Sequence, residues 1–204
     1  MNKITIILPT LNEEKNVEKI VTEINDKFLF NNYSILFVDD GSKDNTRNQI
    51  IRLKKKNNNV DYLFRDDDKD ISRAYMAGLK KAQSEYIILM DSDLQHDASN
   101  LNKLVKYLDT DLNFINGSRF LEESFIFNNR IYNLIRINMS RIFIYVIKKL
   151  FEINLSDPLS GFFMVKKRLV ISNEKKIYQN GWKIMLDIYL GTKNFIKYEE
   201  IPIK

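Results

Sequence analysis

Short apolar runs rich in β-branched residues alternate along the first half of the chain with segments of helical periodicity. Ile4 to Leu8 precedes Glu14 to Phe28, Ser34 to Val38 precedes Thr46 to Lys56, Tyr62 to Arg65 precedes Ser72 to Ala82, and Tyr86 to Met90 precedes Asn100 to Leu108. Repeated strand-helix alternation predicts an α/β fold with a mostly parallel sheet and crossover helices on its faces. The first, second and fourth runs each lead directly into a polar, turn-forming cluster: Pro9 to Glu14, Asp39 to Asn45, and Asp91 to Asp97. Ligands of open parallel sheets bind outside the carboxyl ends of the strands, so three polar clusters are expected at one sheet edge. Beyond Asn116 the pattern changes to a long helical stretch, Arg130 to Phe151, then a loop at Ser156 to Gly161 and a strand at Phe162 to Lys166. A helix near Trp182 to Leu190 and a short final strand follow.

With 204 residues, 44% hydrophobic and 29% charged, the chain has the size and balance of one folded domain, residues 1–204. Without cysteine it forms no disulfide, no thiolate metal site and no catalytic thiolate. No signal-peptide pattern precedes Lys3 to Leu8, so a cytoplasmic location is expected. The net charge of +5 is uneven: residues 121–204 hold 14 Lys and Arg against 8 Asp and Glu, and residues 1–120 hold 18 against 19. A basic half attracts an anionic membrane, nucleic acid or an anionic substrate. No nucleic-acid recognition motif accompanies it, so nucleic acid is not the expected partner.

Asp91-Ser92-Asp93 places two carboxylates one residue apart just beyond an apolar strand. Paired carboxylate oxygens suit a hard dication, Mg2+ or Mn2+, that keeps coordination positions for substrate phosphates. The triplet alone is weakly specific, because surface loops contain many. The other two clusters have equally local explanations, a turn before a helix cap at Asp39 to Asn45 and a helix start at Asn12 to Glu14. Three such clusters on successive strand ends, with Gly41 permitting close backbone approach, favour a ligand site. The only histidine, His96, offers either an acid-base group or a local structural part.

Leu8-Pro9-Thr10-Leu11-Asn12-Glu13-Glu14, Val38-Asp39-Asp40-Gly41-Ser42-Lys43-Asp44 and Asp91-Ser92-Asp93-Leu94-Gln95-His96, in that order and spacing, resemble the family 2 glycosyltransferases of GT-A fold. The third motif, with Gly117-Ser118-Arg119-Phe120 and Ser156-Asp157-Pro158-Leu159-Ser160-Gly161-Phe162-Phe163, resembles the branch acting on dolichol or polyprenol phosphate. The resemblance spans nearly the whole chain. It implies a Rossmann-like sheet with helices on both faces and an inverting transfer of mannose or glucose from a GDP- or UDP-sugar to a polyprenyl phosphate. Pro9, Leu11, Glu13, Val38 and Asp40 then line the nucleoside pocket, Asp91, Asp93 and Gln95 surround the metal, Ser92 between them belongs to the donor-binding set, and Arg119 and Arg136 meet phosphate. Arginine suits that task through paired charge-assisted hydrogen bonds.

Asp157 marks the position of a base in relatives with hydroxyl acceptors, and equally suits a residue ordering the turn before Pro158. A polyprenyl phosphate lies in a bilayer. Arg130 to Phe151 mixes Ile, Leu, Phe, Tyr and Met with five basic residues, which fits an interfacial helix at the cytoplasmic membrane face as well as a core helix with a solvated basic side. Two departures stand out: Asp70 where relatives usually have glycine, and Leu11 where an aromatic is common. The Phe-X-X-Arg-X-X-Gly-X-Ser-Lys-like segment that continues relatives is not in this sequence, which reads as a C-terminally shortened domain, a short variant that uses Lys197 or Lys204 instead, or a domain completed by a membrane-anchoring partner chain; it also motivates the alternative of an inactive sugar-nucleotide-binding subunit. Transfer to a polysaccharide or glycolipid hydroxyl is the remaining alternative.

Overall fold

The computed structural model describes residues 2–66, 69–121 and 144–203. Among the described residues, seven strands form one sheet: β1 (Ile4–Thr10), β2 (Tyr33–Asp40), β3 (Val60–Arg65), β4 (Tyr86–Leu89), β5 (Phe114–Ser118), β6 (Phe163–Lys166) and β7 (Tyr198–Pro202). Their order is β3-β2-β1-β4-β6-β5-β7, and β6 alone runs against its neighbours. The α/β architecture expected from the alternating pattern is therefore present. Helices α1 (Val17–Lys27), α2 (Thr46–Lys56) and α3 (Ile71–Lys81) connect the first four strands. Further along come α4 (Leu101–Leu104), α5 (Lys167–Ser172) and α6 (Ile184–Thr192).

The two faces of the sheet have separate cores, as the period of two along a strand requires. On β1, Ile4, Ile6 and Leu8 pack with Val17, Ile20 and Ile24 of α1 and Ile50 of α2. Ile7 points the other way, into a core with Tyr75 and Leu79 of α3 and Ile188 of α6. Burial on both faces explains why the central strands read as continuous apolar runs rather than alternating ones. Gly78 lets α3 lie close on the sheet: a Cβ there would sit 2.7 Å from Val38 Cγ2 and 3.1 Å from Ile7 Cγ2.

Two helix boundaries differ from the pattern. Helix α1 starts at Val17 instead of Glu14, because residues 13–16 form a turn in which the Glu13 carbonyl accepts from Asn16 and Val17. The segment at 98–107 holds one α-helical turn between two 3-10 turns, Ala98–Asn100 and Val105–Tyr107. Buried Leu101 and Leu104 are three residues apart, the spacing a 3-10 turn also satisfies. Of the long stretch predicted from Arg130, residues 144–151 are helical; the part at 130–143, with Arg136, lies outside the described residues.

The order β2-β1-β4 contains the topological switch. Strand β1 feeds α1 on one face, and α3 feeds β4 from the other, so the chain diverges between β1 and β4. Pairing of β1 with β4 ends at Ile7–Leu89, whereas β1 stays paired to β2 as far as Thr10–Asp39. A crevice opens there, at the carboxyl ends.

Candidate active site

A cavity of about 710 Å³ occupies this crevice. The three polar clusters meet in it: Pro9, Leu11 and Glu13 from the end of β1, Asp40 from β2, and Asp91, Ser92 and Asp93 after β4. The opposite wall comes from Pro158 to Gly161 and Gly181 to Met185, and Lys69, Asp70 and Ile71 close a third side.

The strand-end loops are fixed to each other by side chains. Buried Ser92 donates its hydroxyl to the Pro9 carbonyl at 2.8 Å, bridging the point where β1 and β4 part. The backbone of Asn12, at φ 58°, donates to Ser42 Oγ at 2.8 Å, and its side-chain oxygen accepts from Lys43 N at 2.8 Å. Ser42 Oγ in turn donates to fully buried Asp39, which also accepts Arg47 Nε at 2.5 Å. Arg47 reaches the Arg65 carbonyl at 2.7 Å as well. Asp39 thus serves the scaffold, and its neighbour Asp40 serves the cavity. Asp40 Oδ1 lies 2.9 Å from Arg65 Nη1, and Oδ2 accepts from Asp70 N at 2.6 Å. Burial pushes the Asp40 carboxyl above the usual carboxylate range, and the Arg65 guanidinium opposes that shift.

Asp91 is half-exposed and Asp93 exposed, as open coordination positions would require. A Cβ on Gly161 would fall inside the van der Waals shell of the Asp91 carboxylate, so only glycine leaves that carboxylate its room. His96 is buried with its ring 5.4 Å from that of Phe162 and Nε2 3.6 Å from Asp91 Oδ2, too long for a hydrogen bond. Leu94 takes φ 64°, an uncommon backbone for a non-glycine residue that turns the chain sharply after Asp93. Asp93 Oδ1 accepts the backbone N–H of Gln95 at 3.0 Å, while the Gln95 side chain is exposed and outside the cavity lining. Among the described residues no cluster of three or more acidic, histidine or cysteine ligands exists. Two carboxylates fit a dication of the Mg2+ or Mn2+ type, whose remaining shell is filled by phosphate and water rather than by a protein cage.

Not every expected residue reaches the cavity. Val38 is fully buried against Gly78 on the α3 side of the sheet: it shares a face of β2 with Asp40 but lies two residues before the strand end, where α3 covers the sheet. Leu11 stands 46% exposed at the mouth, and the Glu13 carboxylate accepts from Asn16 Nδ2 at 2.6 Å. Asp157 has no exposed surface and holds half-exposed Arg119 in a fork, with Nε at 2.8 Å from Oδ2 and Nη2 at 3.2 Å from Oδ1. That bond, more than anything else, raises the Arg119 pKa further. The turn before Pro158 is held from below by Glu200 of β7, which accepts from Ser156 N at 2.8 Å and from Asn116 Nδ2 at 2.9 Å.

Lys69, Asp70, Trp182 and Lys183 line the cavity without having been singled out as ligands by the sequence. Burial, then the charge of Arg119, lowers the Lys183 pKa, while Asp157 and Asp91 act against the shift; Lys183 therefore shares an electrostatic neighbourhood with all three. Its only signal in the sequence is a lysine before an apolar helix, which is common.

The family model for "Glycosyl transferase family 2" matches residues 5–172. The chain is 30% identical over 204 residues to the dolichol-phosphate mannosyltransferase of Pyrococcus furiosus, covering 98% of this chain and 55% of that protein. It is 27% identical over 193 residues to the Saccharomyces cerevisiae enzyme of the same name, covering 90% of this chain and 68% of that one. The chain thus spans about half to two thirds of the length of these relatives. In fold it is similar to glucosyl-3-phosphoglycerate synthase from Mycobacterium tuberculosis, solved with Mn2+, UDP and glucosyl-3-phosphoglycerate, at TM-score 0.74 and 16% identity over 99% of this chain and 70% of that one. The GT-A architecture is shared with that enzyme. With its motifs gathered in one crevice and the family match running across most of its length, this chain belongs to glycosyltransferase family 2.

Proposed function

We propose that the cavity binds a nucleoside diphosphate sugar, GDP- or UDP-linked, and that the chain transfers the hexose, mannose or glucose, to the phosphate of a polyprenyl lipid. The observation carrying this reading is the placement of Asp40 and the Asp91–Asp93 pair along one cavity of about 710 Å³, a size that accepts a nucleotide sugar. The base and ribose lie between Pro9, Leu11, Glu13 and Asp40, and the diphosphate beside Asp91 and Asp93. A bound Mg2+ or Mn2+ would act as a Lewis acid offsetting charge on the departing diphosphate. Lys183, lining the same cavity, adds fixed positive charge, and Arg119 offers the acceptor phosphate the edge of its guanidinium not committed to Asp157. Arg136 is assigned to phosphate on the family resemblance.

In the proposed step, a phosphate oxygen of the acceptor attacks the anomeric carbon from the side opposite the leaving group. The new C–O bond forms as the bond to the nucleoside diphosphate breaks, the electron pair leaves with the diphosphate, and the configuration inverts. A phosphomonoester with a second pKa near 6 is already ionised at neutral pH, so positioning and electrostatics carry the rate and no base is required. Burial of Asp157 under Arg119 favours this acceptor over a hydroxyl, which would need that carboxylate free. No helix among the described residues is long and apolar enough to cross a membrane. The helix at 144–151 exposes Tyr145, Val146, Leu150 and Phe151 beside Lys148 and Lys149, which suits peripheral contact with an anionic bilayer.

The test is incubation of the purified protein and Mn2+ or Mg2+ with GDP-mannose or UDP-glucose and a short polyprenyl phosphate. The expected product is a polyprenyl phosphate hexose, with Asp157→Asn retaining most of the rate. Transfer to saccharide or glycolipid hydroxyls alone, abolished in Asp157→Asn, would replace this reading by the hydroxyl one. Metal-dependent nucleotide binding without turnover would identify a binding subunit.

A further inference from the structure

Asp70 sits at the start of α3, where one side of the cavity meets another. Its carboxylate makes two separate attachments. Oδ1 accepts the backbone N–H of Arg73 at 3.1 Å, the usual N-cap bond. Oδ2 accepts the backbone N–H of Gly181, 111 residues away. The link is reinforced from both directions: Ser72 N donates to the Gly181 carbonyl at 3.1 Å, and Arg73 Nε donates to Asn180 Oδ1 at 2.8 Å. Gly181 takes φ 100°, so its peptide turns toward Asp70 in a conformation that disfavours other residues. Immediately after it, Trp182, Lys183, Ile184 and Met185 line the cavity. On its other side, the Asp70 backbone N–H is the group that holds Asp40 Oδ2.

We propose that Asp70 is a positioning residue that straps the Gly181–Met185 wall to the Asp40 side of the cavity, setting the width of the cleft in which the donor lies. A side chain that only capped α3 would need one oxygen, and this one uses the second on a distant loop. A glycine at this position would supply neither bond. The inference rests on the cavity being the nucleotide-sugar site for its functional consequence. The strap itself is a property of the protein without ligand.

Asp70→Ser separates the two attachments, because serine is as good an N-cap as aspartate but is one atom too short to reach Gly181 as well. Trp182 is the only tryptophan and adjoins the strapped residue, so its fluorescence reports on the wall directly. In Asp70→Ser, backbone hydrogen exchange across 181–185 should accelerate about tenfold or more, the weight of one hydrogen bond to a charged group. Acrylamide quenching of Trp182 should change, and the thermal midpoint should stay within a few degrees of wild type. Affinity for UDP or GDP with Mn2+, whichever binds the wild-type protein, should fall by a similar factor. Asp70→Asn, with one acceptor oxygen and an NH2 in place of the other, should fall between serine and wild type. Unchanged exchange and quenching in Asp70→Ser would overturn the strap. Altered exchange with unchanged nucleotide affinity would overturn its part in setting the cleft. A wild-type protein that binds neither nucleotide would refute the donor reading, and the exchange measurement would still decide the strap.

Discussion

At the scale of single residues, the absence of a Cβ and the burial of a carboxylate decide more than the motif letters do. Gly161 faces the Asp91 carboxylate with no room for a methyl group. Gly161→Ala is expected to displace that carboxylate and to lower metal-dependent turnover on the order of 100-fold, the effect of a misplacement of about 1 Å. Wild-type turnover in Gly161→Ala, measured across a Mn2+ titration, would remove Asp91 from the metal site. Asp187 on α6 responds to burial and then to the charge of Asp70, and its pKa is pushed up to about 6. Because the folded-state value lies above the unfolded one, the folded protein holds the proton longer. Stability from this group is then greatest at low pH and declines as pH rises from about 4 to 6. Asp187→Asn should remove that decline and be more stable than wild type at pH 7.5 by on the order of 1 kcal/mol. Urea unfolding of both proteins at pH 4.5 and 7.5 measures it, and an identical pH response in the two would sink the assignment. Nothing in the sequence marks Asp187 as special, since a single acidic residue in an apolar helix shows neither its depth nor its neighbour across 117 positions, Asp70.

At the scale of elements, the strand-end loops are tied in a chain: Ser92 donates to Pro9, Asn12 donates to Ser42, and Ser42 donates to Asp39. Asp39 is fully buried, and Arg47 on the first turn of α2 is its ionic partner. Removing one member of a buried pair leaves an uncompensated charge, which costs about 3–5 kcal/mol. Arg47→Met should therefore lower unfolding stability by about 3 kcal/mol. Arg47→Lys should recover only part of this, since an ammonium cannot serve Asp39 and the Arg65 carbonyl with a planar fork. Equal stability of Arg47→Met and wild type in urea unfolding would show that Asp39 has another counter-charge. The strands themselves were legible, because Ile4 to Leu8, Ser34 to Val38 and Tyr86 to Met90 are apolar on both faces and end in turn formers. The division of labour between Asp39 and Asp40 was not. Two adjacent aspartates are indistinguishable as letters, and it takes the pleat, with one side chain turned to Arg47 and the other to the cavity, to assign scaffold and site. Val38 shares the Asp40 face but lies two residues earlier, under α3, and so joins the core.

At the scale of the molecule, the cavity is assembled from the ends of β1, β2 and β4 together with 158–161 and 181–185, so a ligand bound there joins both halves of the chain. Binding to the folded state alone adds stability as RT ln(1 + [L]/Kd), about 2.7 kcal/mol at a hundredfold excess over Kd. For a domain of this size that corresponds to roughly 5–10 °C. The nucleoside diphosphate and Mn2+ together should raise the thermal midpoint by that amount, and either alone by less. Asp93→Ala should abolish the joint effect, and an equal rise in wild type and Asp93→Ala by calorimetry would refute the metal assignment. What the sequence determined by itself was the α/β class, the clustering of three acidic motifs at strand ends and membership of the family, because hydrophobic period and motif spacing are local and survive without coordinates. The tertiary structure alone decided which motif residues reach the crevice, that Asp157 lies under Arg119, and that Asp70 joins two walls. Those outcomes depend on contacts between residues as many as 111 positions apart, and no local pattern in a single sequence encodes them.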